Sequence, residues 1–151
     1  MSIGGGGGRQ QLEQLSEQIE EIEQQKEQLQ ANIQDIREEK TEIDEAIEGL
    51  GLLETGSTVQ VPVGGGAYVR ATVDDIEEVV VDLGAGYAAE EERDDAVETL
   101  EHKKENLDDR IEEVQETISE LDDESAELEA EAQQAQQQLL QQLQSQQGGG
   151  E

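Results

Sequence analysis

Leucine and isoleucine keep strict time through residues 12–50. They recur in alternating steps of three and four at Leu12, Leu15, Ile19, Ile22, Leu29, Ile33, Ile36, Ile43, Ile47 and Leu50, and Lys26 and Lys40 fill the two places left in the series. No other feature limits the fold so severely. An apolar residue every 3.5 positions makes a stripe two side chains wide on an α-helix, and the usual cover for it is a second helix of the same kind, in a coiled coil. The residues between are mostly Glu and Gln, which form helices well and present polar faces. A first coiled-coil helix is expected over residues 9–50, about 40 residues and roughly 60 Å long.

A second train runs through Val97, Leu100, Leu107, Ile111, Val114, Ile118, Leu121, Leu128 and Leu139, with Lys104, Ser125, Ala132 and Ala135 at the intervening places. It predicts a second helix over 89–147. Two helices of one chain on either side of a short connection pair antiparallel, with a positions of one facing d positions of the other. Indices that sum to 147 satisfy this, so that Ile33 faces Val114 and Ile36 faces Ile111; a sum of 154 fits equally, and the apolar pattern leaves both open. Either offset brings Leu12 beside residues 132–142. The seam lysines admit two readings. Their stems pack while the ammonium groups reach flanking carboxylates, or they fix register and orientation at a cost in stability.

Composition narrows the function. The chain has 151 residues, of which 32% are hydrophobic and 1% aromatic. That excludes a thick core and leaves one two helices wide. Forty acidic against nine basic residues give 9 − 40 = −31, a charge that repels nucleic acid and anionic membrane surfaces. Heptads argue against disorder, so the acid excess reads as adaptation to concentrated salt, where screening shortens to roughly 3 Å at about 1 M. Cysteine is absent, which suits a reducing compartment. With no secretory signal in MSIGGGGGRQ and no apolar run of membrane length, a cytoplasmic protein is expected. The glycine-rich residues 1–8 and 148–151 read as flexible tails.

Residues 51–88 change period. Val59, Val61 and Val63 alternate with polar neighbours, Gly64-Gly65-Gly66 follows, and alternation resumes through Ala67, Val69, Ala71 and Val73. A second unit has Val79, Val81 and Leu83, then Gly84-Ala85-Gly86, then Tyr87. Two β-hairpins are predicted. A phosphate loop is excluded, because the triplet leads into Ala67-Tyr68-Val69 rather than Gly-Lys-Ser/Thr, and Gly84-Ala85-Gly86 lacks a third spaced glycine. Hence no cofactor is expected. His102 stands alone among charged neighbours and predicts no metal site, and no nucleophile–base constellation appears, so the chain is not expected to be an enzyme. Four short strands with so little apolar mass are not stable alone. Subunit assembly is therefore assigned to Val59, Val61, Val63, Ala67, Val69 and Val73 of the first hairpin and to Val79, Val81, Leu83 and Tyr87 of the second.

The order helix, two hairpins, helix, together with VPVGGGAYVRATV and VVVDLGAGYAAE, resembles the alpha-class subunits of archaeal prefoldin. The family's Val-Pro-Leu/Val-Gly-x-Gly-Ala-Tyr-Val stretch falls on residues 61–69, and its Asp-Leu-Gly-x-Gly turn on residues 82–86. The resemblance implies a hexamer of two alpha-class and four beta-class subunits whose hairpins form a double β-barrel. It also implies an ATP-independent co-chaperone that holds unfolded client proteins at its coiled-coil tips and delivers them to a group II chaperonin. Within this sequence the tips contain Leu12, Leu15 and Ile19 from one helix and Leu139, Leu140 and Leu143 from the other. The competing expectation is a non-chaperone coiled-coil scaffold that oligomerises through its β segment.

Overall fold

A computed structural model describes residues 3–148, with side chains over 7–145. The order is α1 (Ile3–Leu52), β1 (Thr58–Gly64), β2 (Ala67–Thr72), β3 (Val79–Gly84), β4 (Tyr87–Glu91) and α2 (Arg93–Gly148). The fold is thus mainly α, two long helices with two small antiparallel hairpins between them. It divides into two compact units, Met1–Gln34 with Glu112–Glu151, and Asp35–Ile111.

Both helices bury the stripe that the heptads define. Every a and d residue from Leu12 to Leu50 and from Val97 to Leu139 is buried or half-buried. In both units the helices meet at one offset. Lys26 pairs with Asp122, Lys40 with Asp108 and Lys104 with Asp44, and each aspartate directly follows the seam residue at index sum 147. A Cβ on Gly8 would lie 3.1 Å from Leu139 Cδ1, and 8 + 139 is again 147. The alternative sum of 154 is therefore not adopted.

The element boundaries differ from those read off the sequence. Helix α1 begins at Ile3, so residues 4–8, read above as tail, are helical. Glycine costs about 1 kcal/mol per residue relative to alanine in a helix, which makes this the weakest stretch of α1. Residues 1–2 and 149–151 of the expected tails lie outside the described residues. At its other end α2 starts at Arg93, where Asp94 and Asp95 occupy the first turn and favour the positive end of the helix dipole. The Glu77 carboxylate accepts from the Arg93 N–H at 3.3 Å and serves one of the donors left free at that helix start.

The hairpins share a register. Strand β1 pairs with β2 through Val61↔Val69 and Pro62↔Tyr68, then shifts to Gly64↔Ala67. Strand β3 pairs with β4 through Val81↔Ala89 and Asp82↔Ala88, then shifts to Gly84↔Tyr87. Each turn holds three consecutive residues at positive φ: 107°, 59° and 81° at Gly64, Gly65 and Gly66, and 90°, 54° and 81° at Gly84, Ala85 and Gly86. Glycine adopts that conformation freely, so the glycines serve chain reversal. Pro62, with no N–H to give, sits beside the bulge, where a ladder bond is dispensable.

Candidate functional site

Four surfaces gather the residues singled out by the sequence: two hairpin faces, the seam and the helix ends.

On the first hairpin, Val59 and Val73 are half-buried, while Val61, Val63, Ala67 and Val69 are exposed. The cross-strand pairs Val61↔Val69 and Val59↔Ala71 place these side chains on one face, because strand side chains alternate and paired residues point the same way. This apolar face is open. On the second hairpin Val81 is buried and Val79 half-buried, whereas Leu83 and Tyr87 are exposed. Ala46 and Gly49 leave little bulk on the α1 wall here, and a groove of ≈ 390 Å³ runs from Leu50, Leu53 and Leu100 to residues 79–82 of β3. Lys103 Nζ donates to the Asp82 carbonyl at 2.8 Å and ties the hairpin to α2. Thr99 Oγ1 donates to Glu91 Oε2 at 2.8 Å, a further tie from the same helix to β4.

Residues outside the sequence expectation complete this region. Ile76 is buried, with its N–H donating to Thr55 Oγ1 at 3.1 Å, and Ala96 is fully buried at 0% exposure. The signal for Ile76 is its isolation in DDIEE, one apolar side chain among acids with no periodic companions. Val80 is exposed, and its signal is the unbroken Val79-Val80-Val81 run. A strand apolar on both faces is one meant to be covered on both.

In the seam, hydrogen bonding to Asp122 is the largest cause holding the Lys26 ammonium above its ordinary pKa, only partly offset by desolvation. Asp44 does the same for Lys104. The lysine side chains retain 18% to 29% of their exposure and the aspartates 53% to 57%. Stems therefore pack in the seam while charged heads lie at its edge.

At the helix ends, Leu15 is buried, and Leu12, Ile19 and Leu139 are half-buried. Leu140 and Leu143 keep 54% and 47% exposure, because they lie off the a and d stripe. The structure thus brings Leu139 against Gly8 and leaves two leucines of α2 facing water. Among the described residues no group of three or more His, Asp or Glu is placed to hold a metal ion, and no helix is long and apolar enough to cross a membrane.

Two helices zipped through a lysine-interrupted seam and joined by twin hairpins define a class, that of coiled-coil proteins with a β insertion between the helices. The pattern of the family described as Prefoldin subunit matches residues 22–138, and the chain belongs to that family. It is 63% identical to the prefoldin subunit alpha of Haloarcula marismortui over 97 residues, 64% of this chain and 63% of that protein. Identity to the Halobacterium salinarum prefoldin subunit alpha is 64% over 104 residues, covering 69% and 67% of the two chains. The match therefore spans about two thirds of these relatives' length. Among solved structures, filamentous PFD from Methanocaldococcus jannaschii aligns with a TM-score of 0.54 and 29% identity over 81% of this chain and 98% of that one. The prefoldin beta subunit from Thermococcus strain KS-1 shares the fold, with a TM-score of 0.53 at 22% identity over 83% and 91%.

Proposed function

We propose that this chain is the alpha-class subunit of an ATP-independent co-chaperone in the cytoplasm of a salt-adapted cell. Two copies join four beta-class subunits, the hairpins complete a double β-barrel, and the helix ends hold unfolded clients for delivery to a group II chaperonin. The observation that carries the assembly is the open valine face of the first hairpin. Val61, Val63 and Val69 are exposed in the single chain, and a lone two-stranded hairpin is marginal in water, so strands of other subunits are its natural cover. Client holding is supported by Leu140 and Leu143, which offer apolar surface worth about 25 cal/mol per Å² when covered. The glutamines that flank both leucines, at 136–138, 141, 142 and 144, keep an empty tip soluble.

Co-expression with a single-hairpin beta-class subunit, followed by size exclusion with light scattering in molar KCl, tests the assembly. A hetero-hexamer is expected; failure to associate overturns the proposal. Removing residues 1–19 and 139–151 is expected to abolish suppression of client aggregation while the hexamer survives, and unchanged suppression refutes tip binding. The second reading is a scaffold that assembles with itself through the β segment. The likeness to a filamentous PFD favours it, and large homo-oligomers of the chain alone would replace the first reading with it.

A further inference from the structure

An apolar heptad specifies that two helices pair, yet not where. Slipping one helix by seven residues again sets a against d, so index sums of 140, 147 and 154 all bury leucine and isoleucine against their like. The structure holds only 147. We propose that the three seam lysines and three edge aspartates form a register code that rejects the slipped pairings.

The geometry is the same three times. Lys26, Lys40 and Lys104 all occupy a positions, and their partners Asp122, Asp108 and Asp44 all occupy the e position that follows the facing d residue. The sums are 26 + 122, 40 + 108 and 104 + 44, each 148. Within residues 12–50 and 97–139, Lys stands at an a position only at these three places, and Asp stands at an e position only opposite them. A side chain as short as aspartate reaches its partner only when the offset is correct.

Slipped registers spoil the code. At a seam sum of 154 the three lysines meet Glu129, Gln115 and Gly51; at 140 they meet Gln115, Glu101 and Arg37. Either slip leaves a single acidic partner across the seam, although Lys26 keeps Glu23 of its own helix at 3.6 Å, and the second sets Lys104 against Arg37. Because the ammonium heads lie at the edge of the seam, each lost cross-helix carboxylate costs only a modest ion pair, and the discrimination comes from all three Lys–Asp pairs failing together. Specificity of this kind comes from disfavouring the competing pairings as much as from favouring the correct one. Parallel self-pairing of α1 is disfavoured by the same residues, since Lys26 would then face Lys26 and Lys40 face Lys40 of the second copy. A one-heptad slip would move one helix end past the other by about 10.5 Å and separate Gly8 from Leu139.

The chain has no cysteine, so disulfide trapping reads the register directly. Ile22→Cys is combined with Ser125→Cys, Ala132→Cys or Ile118→Cys, which report sums of 147, 154 and 140. The full chain is oxidised at low concentration in molar KCl, and intrachain cross-linking is scored. In the parent only the 22–125 pair is expected. In a background carrying K26L, K40L and K104L, cross-linking of the slipped pairs relative to 22–125 should rise about tenfold or more, the factor that corresponds to 1.4 kcal/mol. The milder D44N, D108N and D122N background keeps every stem and shape and should also admit slipped pairs. If both backgrounds still trap the 22–125 pair alone, the hairpin connection sets the register and the proposal is overturned.

Discussion

The hairpins β1–β2 and β3–β4 correspond residue by residue at an offset of twenty. Val61 answers to Val81, Pro62 to Asp82, Gly64 to Gly84 and Gly65 to Ala85, and the bulges fall at equivalent places. Their surroundings differ. Val61 is 43% exposed and Val81 5%, because Val81 meets the groove walled by Leu50, Leu53 and Leu100. One backbone frame thus sits in two different surroundings. The second hairpin is fastened to its own helices, and the first is held out with its apolar face open. Local sequence sets the turn, and the surface beneath sets whether a valine is buried within the single chain or left open.

Charge placed at the two corresponding valines breaks the comparison most severely. Val81→Asp buries a carboxylate without a partner and is expected to cost the isolated chain about 3 kcal/mol, read as a lowered denaturation midpoint. Val61→Asp, in the open hairpin, should shift that midpoint by less than about 0.5 kcal/mol while preventing association with beta-class subunits. Equal destabilisation by the two would mean that the hairpins are docked alike.

Much of this was legible in the sequence, for physical reasons that also mark where legibility ends. Heptad spacing named the whole seam, because residues recurring every 3.5 positions stay on one face of a paired helix whichever register it takes. The glycine turns named both hairpins, because three successive residues at positive φ leave little choice of residue. Which hairpin docks was only partly legible: the Val79-Val80-Val81 run marks β3 as apolar on both faces where β1 alternates, but the groove that receives Val81 is built by Ala46, Gly49, Leu50, Leu53 and Leu100, distant in sequence. Ala96 was hidden, since burial of a single residue leaves no period, and Ile76 was marked only by its isolation among acids. Register needed the charges as well as the apolar stripe, for Lys26 and Asp122 are far apart in sequence and meet only across the pair of helices.

The tie at Lys103 offers a smaller perturbation. Lys103→Met removes the donor to the Asp82 carbonyl while keeping a stem to line the groove. A loss of about 1 kcal/mol is expected, with faster amide exchange over residues 79–91 and none of that change over 58–72. Uniform acceleration in both hairpins would show that Lys103 does not act on the second alone.

Alkaline titration separates the helices from the hairpins. Lys26 and Lys104 have pKa values raised above 10.5, chiefly by hydrogen bonds to Asp122 and Asp44. Because the folded value exceeds the unfolded one, this stabilisation is fully present below about 10.5 and is lost as pH climbs through the raised values. Helical ellipticity should therefore fall more steeply above that pH in the parent than in a K26M/K104M variant. Parallel curves would place the alkaline loss elsewhere.

The finest test uses the middle residue of each turn. Ala85 holds φ at 54° and Gly65 at 59°, so the two positions ask the same conformation of different residues. For an L-residue with a Cβ the left-handed region costs roughly 1–2 kcal/mol, and a Cβ at Gly65 would touch nothing within 4 Å, so crowding adds nothing to that cost. Ala85→Gly should relieve the penalty, although the greater freedom of glycine in the unfolded chain returns part of the gain. The expected net is a stabilisation of about 0.5 kcal/mol. Gly65→Ala runs the same balance backwards, and its effect on the isolated chain should be smaller still, because an undocked hairpin can open without unfolding the rest. In the assembled protein, where the first hairpin would be covered, the two substitutions should become equal and opposite. Thermal denaturation of both variants, alone and with the beta-class partner, measures that convergence. If the asymmetry persists in the complex, the first hairpin is not engaged by other subunits.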